Sequence, residues 1–146
     1  GLNRFSVLEF DGDGVIRRRW STCGDASADC LSLKGFSMAR TTLPDGSGID
    51  VYNLHMDAGR EDAAVRAENV AELAAFINEE SADRPVIVAG DFNLHLDRDP
   101  DADQLAELLD ATGLVDACAQ LGCPEPNRID KILYRSGEGI DITTLE

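Results

Sequence analysis

The 146-residue sequence is short of basic residues: 13 lysines and arginines face 28 aspartates and glutamates, which gives a formal net charge of −15. A chain this acidic gains no long-range attraction to nucleic acid or to an anionic membrane. This argues against a nucleic-acid binder driven by charge. It does not argue against a phosphodiesterase, because divalent cations offset negative charge locally. Solubility alone, or a salty habitat, is the alternative explanation of the acidic surface.

Long apolar runs are also lacking. None approaches the roughly 18 residues that a membrane-spanning helix needs, and the longest, at 85–89, suits a buried strand. The first residues, 1–4, include neither a start methionine nor the apolar core of a signal peptide. We therefore expect no transmembrane segment, and we interpret 1–146 as one domain of a processed protein or an internal fragment.

The four cysteines lack the C-x-x-C spacing of zinc ribbons and redox motifs. They form two local pairs instead, Cys23 with Cys30 and Cys118 with Cys123, around polar or turn-like segments. This pattern favours two short-loop disulfides, with reduced structural cysteines or a shared zinc site as the alternatives. Disulfides indicate a secreted or periplasmic protein.

The hydrophobic pattern predicts an α/β fold without internal repeats, in which helices cover β-sheets. The clearest helix is at 61–80, where Val70, Leu73, Ala74 and Ile77 form one apolar stripe and Arg66 is assigned to the solvent side. A second helix is predicted at 103–111. Strands are predicted at 5–10, 15–20, 35–43, 49–56, 85–89, 128–134 and 140–144. The first two are expected to form a hairpin around 11–14, and the next two an antiparallel pair.

The strongest motif follows the apolar strand at 85–89 and consists of Gly90, Asp91, Phe92 and Asn93. Residues two apart in an extended chain point the same way, so Asp91 and Asn93 are expected to face one cavity. Gly90 lets the backbone pass close to a ligand. A carboxylate can hold a cation or accept a proton from water, and an amide can donate to a phosphoryl oxygen. Ordinary turn chemistry at a strand end is the alternative.

Two further segments carry polar side chains on predicted strands. Asn53 and His55 lie two apart on one strand, and the chain has only two histidines. Asp130 interrupts the strand at 128–134, where a buried carboxylate needs a partner. Taken singly, these segments also fit a structural histidine and a carboxylate paired with Arg128 or Lys131.

In chain order, the Asn53-Leu54-His55 element, a helix carrying Arg66, the motif at 90–93 and the element at 128–130 resemble the endonuclease/exonuclease/phosphatase superfamily. The resemblance covers about 34–135. It implies a deoxyribonuclease I-like four-layer α/β sandwich that hydrolyses phosphate esters by metal-assisted attack of water. Mg²⁺ or Mn²⁺ is the implied cofactor.

The resemblance also implies roles for individual residues. His55 would hydrogen-bond the scissile phosphate, and Asp91 would orient or deprotonate the attacking water. Asn93 would hold a phosphate oxygen or place Asp91, and these two residues are the candidate metal ligands. Asp130 would orient a second histidine, and Asn53 would bind substrate beside His55.

The sequence departs from the family pattern at both ends. No Gln-Glu motif, which carries the family's metal-binding glutamate, precedes Lys34, and no Ser-Asp-His motif follows Asp130. His95 is expected in a surface loop and does not replace the missing histidine. We therefore expect the chain to hold only the central part of the domain, with part of the site missing.

The substrate class depends on weaker signals. Lys34, Gly35 and Phe36 resemble an element of sphingomyelinase-like members, which favours a lipid or small phosphoester as substrate. A secreted deoxyribonuclease-like nuclease is the first alternative. The one basic cluster of this sequence, 17–19, gives it little support, because the cluster is expected to divide between the two faces of a strand. A catalytically inactive binding module on the same fold is the second alternative.

Overall fold

A computed structural model describes residues 6–10, 14–24 and 29–143. The strands are β1 (Ile16–Arg19), β2 (Gly35–Thr42), β3 (Gly48–His55), β4 (Val86–Asp91), β5 (Val115–Asp116) and β6 (Asp130–Arg135). The α-helices are α1 (Ala63–Glu80), α2 (Asp101–Thr112) and α3 (Ala117–Leu121), and a 3-10 turn spans Asp29–Leu31. None of the described helices is long and apolar enough to cross a bilayer.

The strands form one six-stranded sheet in the order β1-β2-β3-β4-β6-β5. β3 and β4 run parallel and are connected through α1, whereas the other neighbours are antiparallel. The carboxyl ends of β3 and β4 therefore meet the amino end of β6 at one edge of the sheet. This edge is where the motifs singled out in the sequence come together.

The core lies between the sheet and the apolar stripe of α1. Along β3, Tyr52 and Leu54 are fully buried, whereas Val51 and Asn53 are half-buried. The side chains of Val70, Leu73 and Ile77 join the same cluster, as the periodicity predicts. Helices thus cover one face of the sheet.

The opposite face of the sheet is apolar but open. Val51, Ile87 and Ala89 are half-buried there, and Ile132 is 56% exposed. A four-layer sandwich has two sheets packed face to face, and the described residues supply one sheet and the helices on one side of it. The described residues therefore form one sheet and one helical layer of the predicted sandwich.

Two predicted strands are not formed as expected. Of the first hairpin, 6–10 contains no strand, and Phe10 makes only an isolated bridge to Thr41. β1 pairs with β2 instead and so forms the edge strand of the six-stranded sheet. The turn at 11–13 lies outside the described residues. Near the other end, Ile140 makes only an isolated bridge to Gly137 within the described part of 140–144.

Arg66 does not lie on the solvent side of α1, as the sequence suggested, but is 2% exposed. Its Nη2 lies 2.7 Å from Oδ1 of Asp101, which is also buried. The reason is helical geometry: Arg66 precedes Val70 by four residues and therefore continues the apolar stripe. The pair connects α1 with the start of α2.

Both predicted disulfides are present. Cys23 is bonded to Cys30 and Cys118 to Cys123, with Cα–Cα separations of 5.1 and 5.0 Å. These separations are typical of disulfides. The first bond closes the segment that precedes β2, and the second closes α3 onto the chain that follows it.

Candidate active site

A row of three polar side chains crosses the sheet edge where β3 and β4 end and β6 begins. His55 pairs in register with Asp91, and Asp91 pairs with Asp130. Side chains directly opposite on neighbouring strands project from the same face. The structure therefore brings together three of the four side chains that the sequence singled out as catalytic.

His55 and Asp91 are in contact. His55 Nε2 lies 3.4 Å from Asp91 Oδ2, and their side chains are 41% and 29% exposed. The backbone of His55 is held by Trp20, whose Nε1 donates to the His55 carbonyl at 2.8 Å. A half-exposed histidine against a carboxylate can donate to, or accept from, a ligand in the open cleft.

Gly90 allows β4 to approach β3 at this point. Its φ is +155°, and a Cβ there would lie 2.2 Å from the carbonyl oxygen of Leu54. Any side chain at Gly90 would push the strands apart and move Asp91 away from His55. The glycine of the motif therefore permits close strand packing, where the sequence suggested close approach to a ligand.

Asn93 reaches the site differently from what strand alternation predicts. β4 ends at Asp91, and Asn93 adopts a left-handed φ of 51°, so the two side chains do not alternate along one extended strand. Asn93 Nδ2 donates to the carbonyl of Met56 at 2.9 Å, and its backbone N–H donates to Asp91 Oδ1 at 3.0 Å. Asn93, 9% exposed, thus fixes the Asp91 carboxylate and the loop after β3.

Asp130 is exposed at the end of the row. Of the basic residues that could have neutralised it, Arg128 pairs with Glu125, and Lys131 Nζ donates to the Arg128 carbonyl at 2.8 Å. Burial lowers the pKa of Lys131, and the negative charge of Asp116 partly offsets that shift. Among the described residues, Asp130 forms no ion pair with either of them.

Asn53 lies two residues before His55 on β3, opposite Ser37 of β2 and Ala89 of β4. It shares the face of His55 because side chains alternate along a strand. Asn53 is half-buried below the His55–Asp91 row. His95 lies in the loop after β4, where its backbone N–H donates to Asp101 Oδ2 at 3.2 Å, and it joins no described contact with the row.

The loop after β3 is braced by residues that sequence reasoning did not assign to the site. Lys34 Nζ donates to the Met56 carbonyl at 3.1 Å and lies 2.8 Å from Asp29, both side chains being buried. Asp29 also accepts from the backbone N–H of Ala58. The sequence analysis had named Lys34 only as part of the Lys34-Gly35 element and had given its side chain no contact. Its partner Asp29 could not be identified because the contact depends on the chain reversal before β2.

The carboxylate oxygens at this end of the sheet are the kind of ligand that a hard divalent cation prefers, but there are too few of them to hold one. Like charges directly opposite on neighbouring strands are destabilising, and Asp91 faces Asp130. A cation would relieve that repulsion, and carboxylate oxygens are preferred ligands of Mg²⁺. Within the described ranges, however, no three His, Cys, Asp or Glu side chains cluster closely enough to hold a metal ion.

Comparison with known proteins identifies the family. The family model described as "Endonuclease/Exonuclease/phosphatase family" matches residues 6–142. A sphingomyelinase from Mycobacterium tuberculosis is 37% identical over 156 residues, which cover 97% of this chain and 30% of that protein. The chain therefore belongs to the endonuclease/exonuclease/phosphatase family.

Solved structures show the same fold. TDP2 from D. rerio in complex with a single-strand DNA product has a TM-score of 0.70 at 20% identity, over 92% of this chain and 56% of that one. A mutant beta toxin from Staphylococcus aureus with bound magnesium ions has a TM-score of 0.64 at 18% identity, over 88% and 50%. The chain thus spans about half of these folds and under a third of the curated relative.

Proposed function

We propose that the protein containing this chain hydrolyses the phosphodiester of a sphingomyelin-like lipid by attack of water. The observation that carries the proposal is the 37% identity with a sphingomyelinase over nearly the whole chain. The His55–Asp91–Asp130 row supports it, because it places polar groups on one open edge. The net charge of −15 disfavours the nuclease alternative.

The chain's own residues have distinct roles in this proposal. His55, half-exposed at the sheet edge, donates to a non-bridging phosphoryl oxygen as negative charge develops there. Asp91 orients the attacking water and accepts its proton. Asn93 positions Asp91 through its backbone N–H, and Asn53 supports the substrate beside His55.

Asp91 would hold a divalent cation, Mg²⁺ or Mn²⁺, together with groups outside this chain. The bound cation would supply Lewis-acid polarisation of the phosphoryl oxygen. Asn93 is the weaker ligand candidate, because its amide is neutral and the residue is only 9% exposed. Because the chain covers about half of the solved relatives, a further carboxylate and a second histidine for Asp130 would come from polypeptide outside 1–146.

The test compares the full-length protein with the isolated 146-residue chain on sphingomyelin, DNA and bis-p-nitrophenyl phosphate. We expect EDTA-sensitive hydrolysis of sphingomyelin by the full-length protein only. Asp91→Ala should abolish it, and Asp110→Ala, the same change at an exposed position of α2, should not. Equal activity of the isolated chain would contradict the placement of the missing groups. A preference for DNA would favour the nuclease alternative. Inactivity on all three substrates would favour the alternative of a catalytically inactive binding module.

We further propose that the protein works outside the cytoplasm. Two disulfides persist in oxidising compartments and are rare in the cytosol. Fractionation of the native host with thiol labelling tests this: the cysteines should be unreactive and the protein extracytoplasmic. Four reactive thiols on a cytosolic protein would refute the proposal.

A further inference from the structure

Three buried aspartates lie where the chain after β1 meets the loop after β3 and the start of α1. Asp29, Asp57 and Asp62 are 5%, 0% and 6% exposed. They lie on the helical side of the sheet, because the segment that follows β1 packs against α1: the backbone N–H and the hydroxyl of Ser21 both donate to Glu72. Their burial therefore comes from contacts within the described residues.

One of the three carboxylates has a cationic partner and two do not. Asp29 pairs with Lys34 at 2.8 Å. In the part of the chain that the structure describes, neither Asp57 nor Asp62 forms an ion pair with a basic residue. Oδ2 of each is also buried there without a hydrogen-bond partner. Buried charges in proteins are paired or bound to a metal ion, so two negative charges here lack compensation.

Helix capping does not account for the position of the Asp62 carboxylate. Asp62 is the N-cap residue of α1, yet its side chain makes no capping hydrogen bond. An N-cap aspartate usually accepts from the N–H of the second or third helical residue. The carboxylate of Asp62 is directed to Gly24 instead, on the segment that follows β1.

The two carboxylates meet at Gly24. A Cβ on this residue would lie 2.2 Å from Cγ of Asp62. The N–H of Gly24 donates to Oδ1 of Asp57 at 3.0 Å. The space that any other side chain would fill is therefore occupied by one carboxylate, and the second is held against the same residue.

Further oxygen atoms are available beside Asp57. A cavity of about 70 Å³ is lined by Thr22, Asp29 and Asp57, and the Thr22 hydroxyl is buried with no partner among the described residues. Since a water occupies about 30 Å³, the cavity has room for a cation and a water. Residues 6–10, 14–24 and 29–143 contain no cluster of three His, Cys, Asp or Glu side chains that could hold a metal ion. The ligands besides Asp57 and Asp62 would therefore be hydroxyl, backbone and water oxygens.

We propose that Asp57 and Asp62 bind a calcium ion that joins the chain after β1 to the loop after β3 and the start of α1. Ca²⁺ takes six to eight oxygen ligands in flexible geometry, whereas Mg²⁺ demands a near-ideal octahedron and keeps several waters, for which the cavity is too small. Calcium sites of extracellular modules have a Kd of about 10⁻⁴–10⁻³ M, which fits a protein that works outside the cytoplasm. The site is separate from the cation assigned to Asp91, and the inference does not rest on the proposed activity.

Calcium at this position would stabilise the loop that follows His55. The backbone N–H of Asp57 donates to Oδ1 of Asn69 on α1 at 3.0 Å. The carbonyl of the preceding residue, Met56, accepts from Asn93 at 2.9 Å. The ion would thus support the contacts that fix the candidate active site without touching the reacting groups.

The test measures urea unfolding of the full-length protein carrying Asp91→Ala, which removes a ligand of the candidate catalytic cation. At about 10 mM Ca²⁺, the ratio of folded to unfolded protein should be about 10- to 100-fold higher than in EDTA. Asp57→Asn and Asp62→Asn remove the charge and keep the shape of the side chain. Each should abolish most of this rise and should be at least as stable as the parent in EDTA. Asp110→Asn, exposed on α2, should leave the rise unchanged.

Tb³⁺ luminescence gives a second measurement, because Tb³⁺ occupies calcium sites and is excited by a nearby indole. Trp20 lines the same cavity, so the parent should show an emission that excess Ca²⁺ displaces and both asparagine variants lose. No effect of Ca²⁺ on unfolding would overturn the proposal and leave a buried water as the partner of the two carboxylates. An equal rise in the asparagine variants, or their failure to fold in EDTA, would overturn it as well. Neither measurement involves turnover, so inactivity on sphingomyelin would refute the proposed function and leave this inference standing.

Discussion

The buried pair between Arg66 and Asp101 gives the sharpest prediction of stability. The two side chains are 3% and 2% exposed, and their closest atoms are 2.7 Å apart. Arg66→Met would leave the Asp101 carboxylate buried without its cationic partner, while the backbone N–H of His95, 3.2 Å away, still donates to it. Removing one partner of a buried pair costs about 3–5 kcal/mol. Because domains are stable by about 5–15 kcal/mol, the loss should be large.

Urea unfolding of the full-length protein measures this loss as a fall in midpoint at constant slope. The matched control is Arg128→Met, which removes an exposed pair with Glu125, 65% and 67% exposed, and should cost less than about 1 kcal/mol. Adding Asp101→Asn to Arg66→Met should recover part of the loss, because the uncompensated charge is then removed. A cost for Arg66→Met no greater than that for Arg128→Met would refute the reasoning.

Three further predictions test the strand packing, a buried phenol and the disulfides. Gly90→Ala should unfold or strongly destabilise the protein, because its Cβ would meet the Leu54 carbonyl at 2.2 Å, whereas Gly46→Ala, with no atom within 4 Å, should cost far less; equal melting temperatures would contradict this. Burial raises the pKa of Tyr52 from 10.0 to about 12, so its contribution to stability is complete below pH 10 and is lost as the pH rises towards 12. Phenolate absorbance should show this late step, and Tyr52→Phe should abolish it; ionisation of Tyr52 near pH 10 in the folded protein would exclude the effect of burial. Each cysteine-to-serine pair should lower the free energy of unfolding by roughly 2–2.5 kcal/mol in the chain-entropy model, measured by denaturant titration, and a change of sign would rule out that account.

The meeting of His55, Asp91 and Asp130 at one end of the sheet was predictable, because each of them begins or ends a strand. His55 and Asp91 each end a strand with a strong apolar pattern, and the two strands are joined by an amphipathic helix, an arrangement that favours parallel pairing. The cysteine pairs were equally accessible, since short separation alone restricts the choice of partner. The apolar periodicity of α1 also includes the position of Arg66, which is buried. The charge of Arg66 led us to assign it to the solvent side instead.

Tertiary contacts decided the features that local patterns cannot encode. Asn93 leaves the extended conformation because its amide bonds to Met56, 37 residues away, and no property of 90–93 specifies that contact. β1 pairs with β2. Local sequence does not specify this partner, because the edge of β2 that accepts β1 exists only in the assembled sheet. The pairing of β1 with β2 also places Arg17 and Arg19 on the same sheet face as His55. Leu31 and Leu33, which precede β2, are exposed. Side-chain periodicity therefore determines which helix or strand forms and which of its faces is apolar. The packing of segments that are distant in sequence determines which side chains meet and what they can bind.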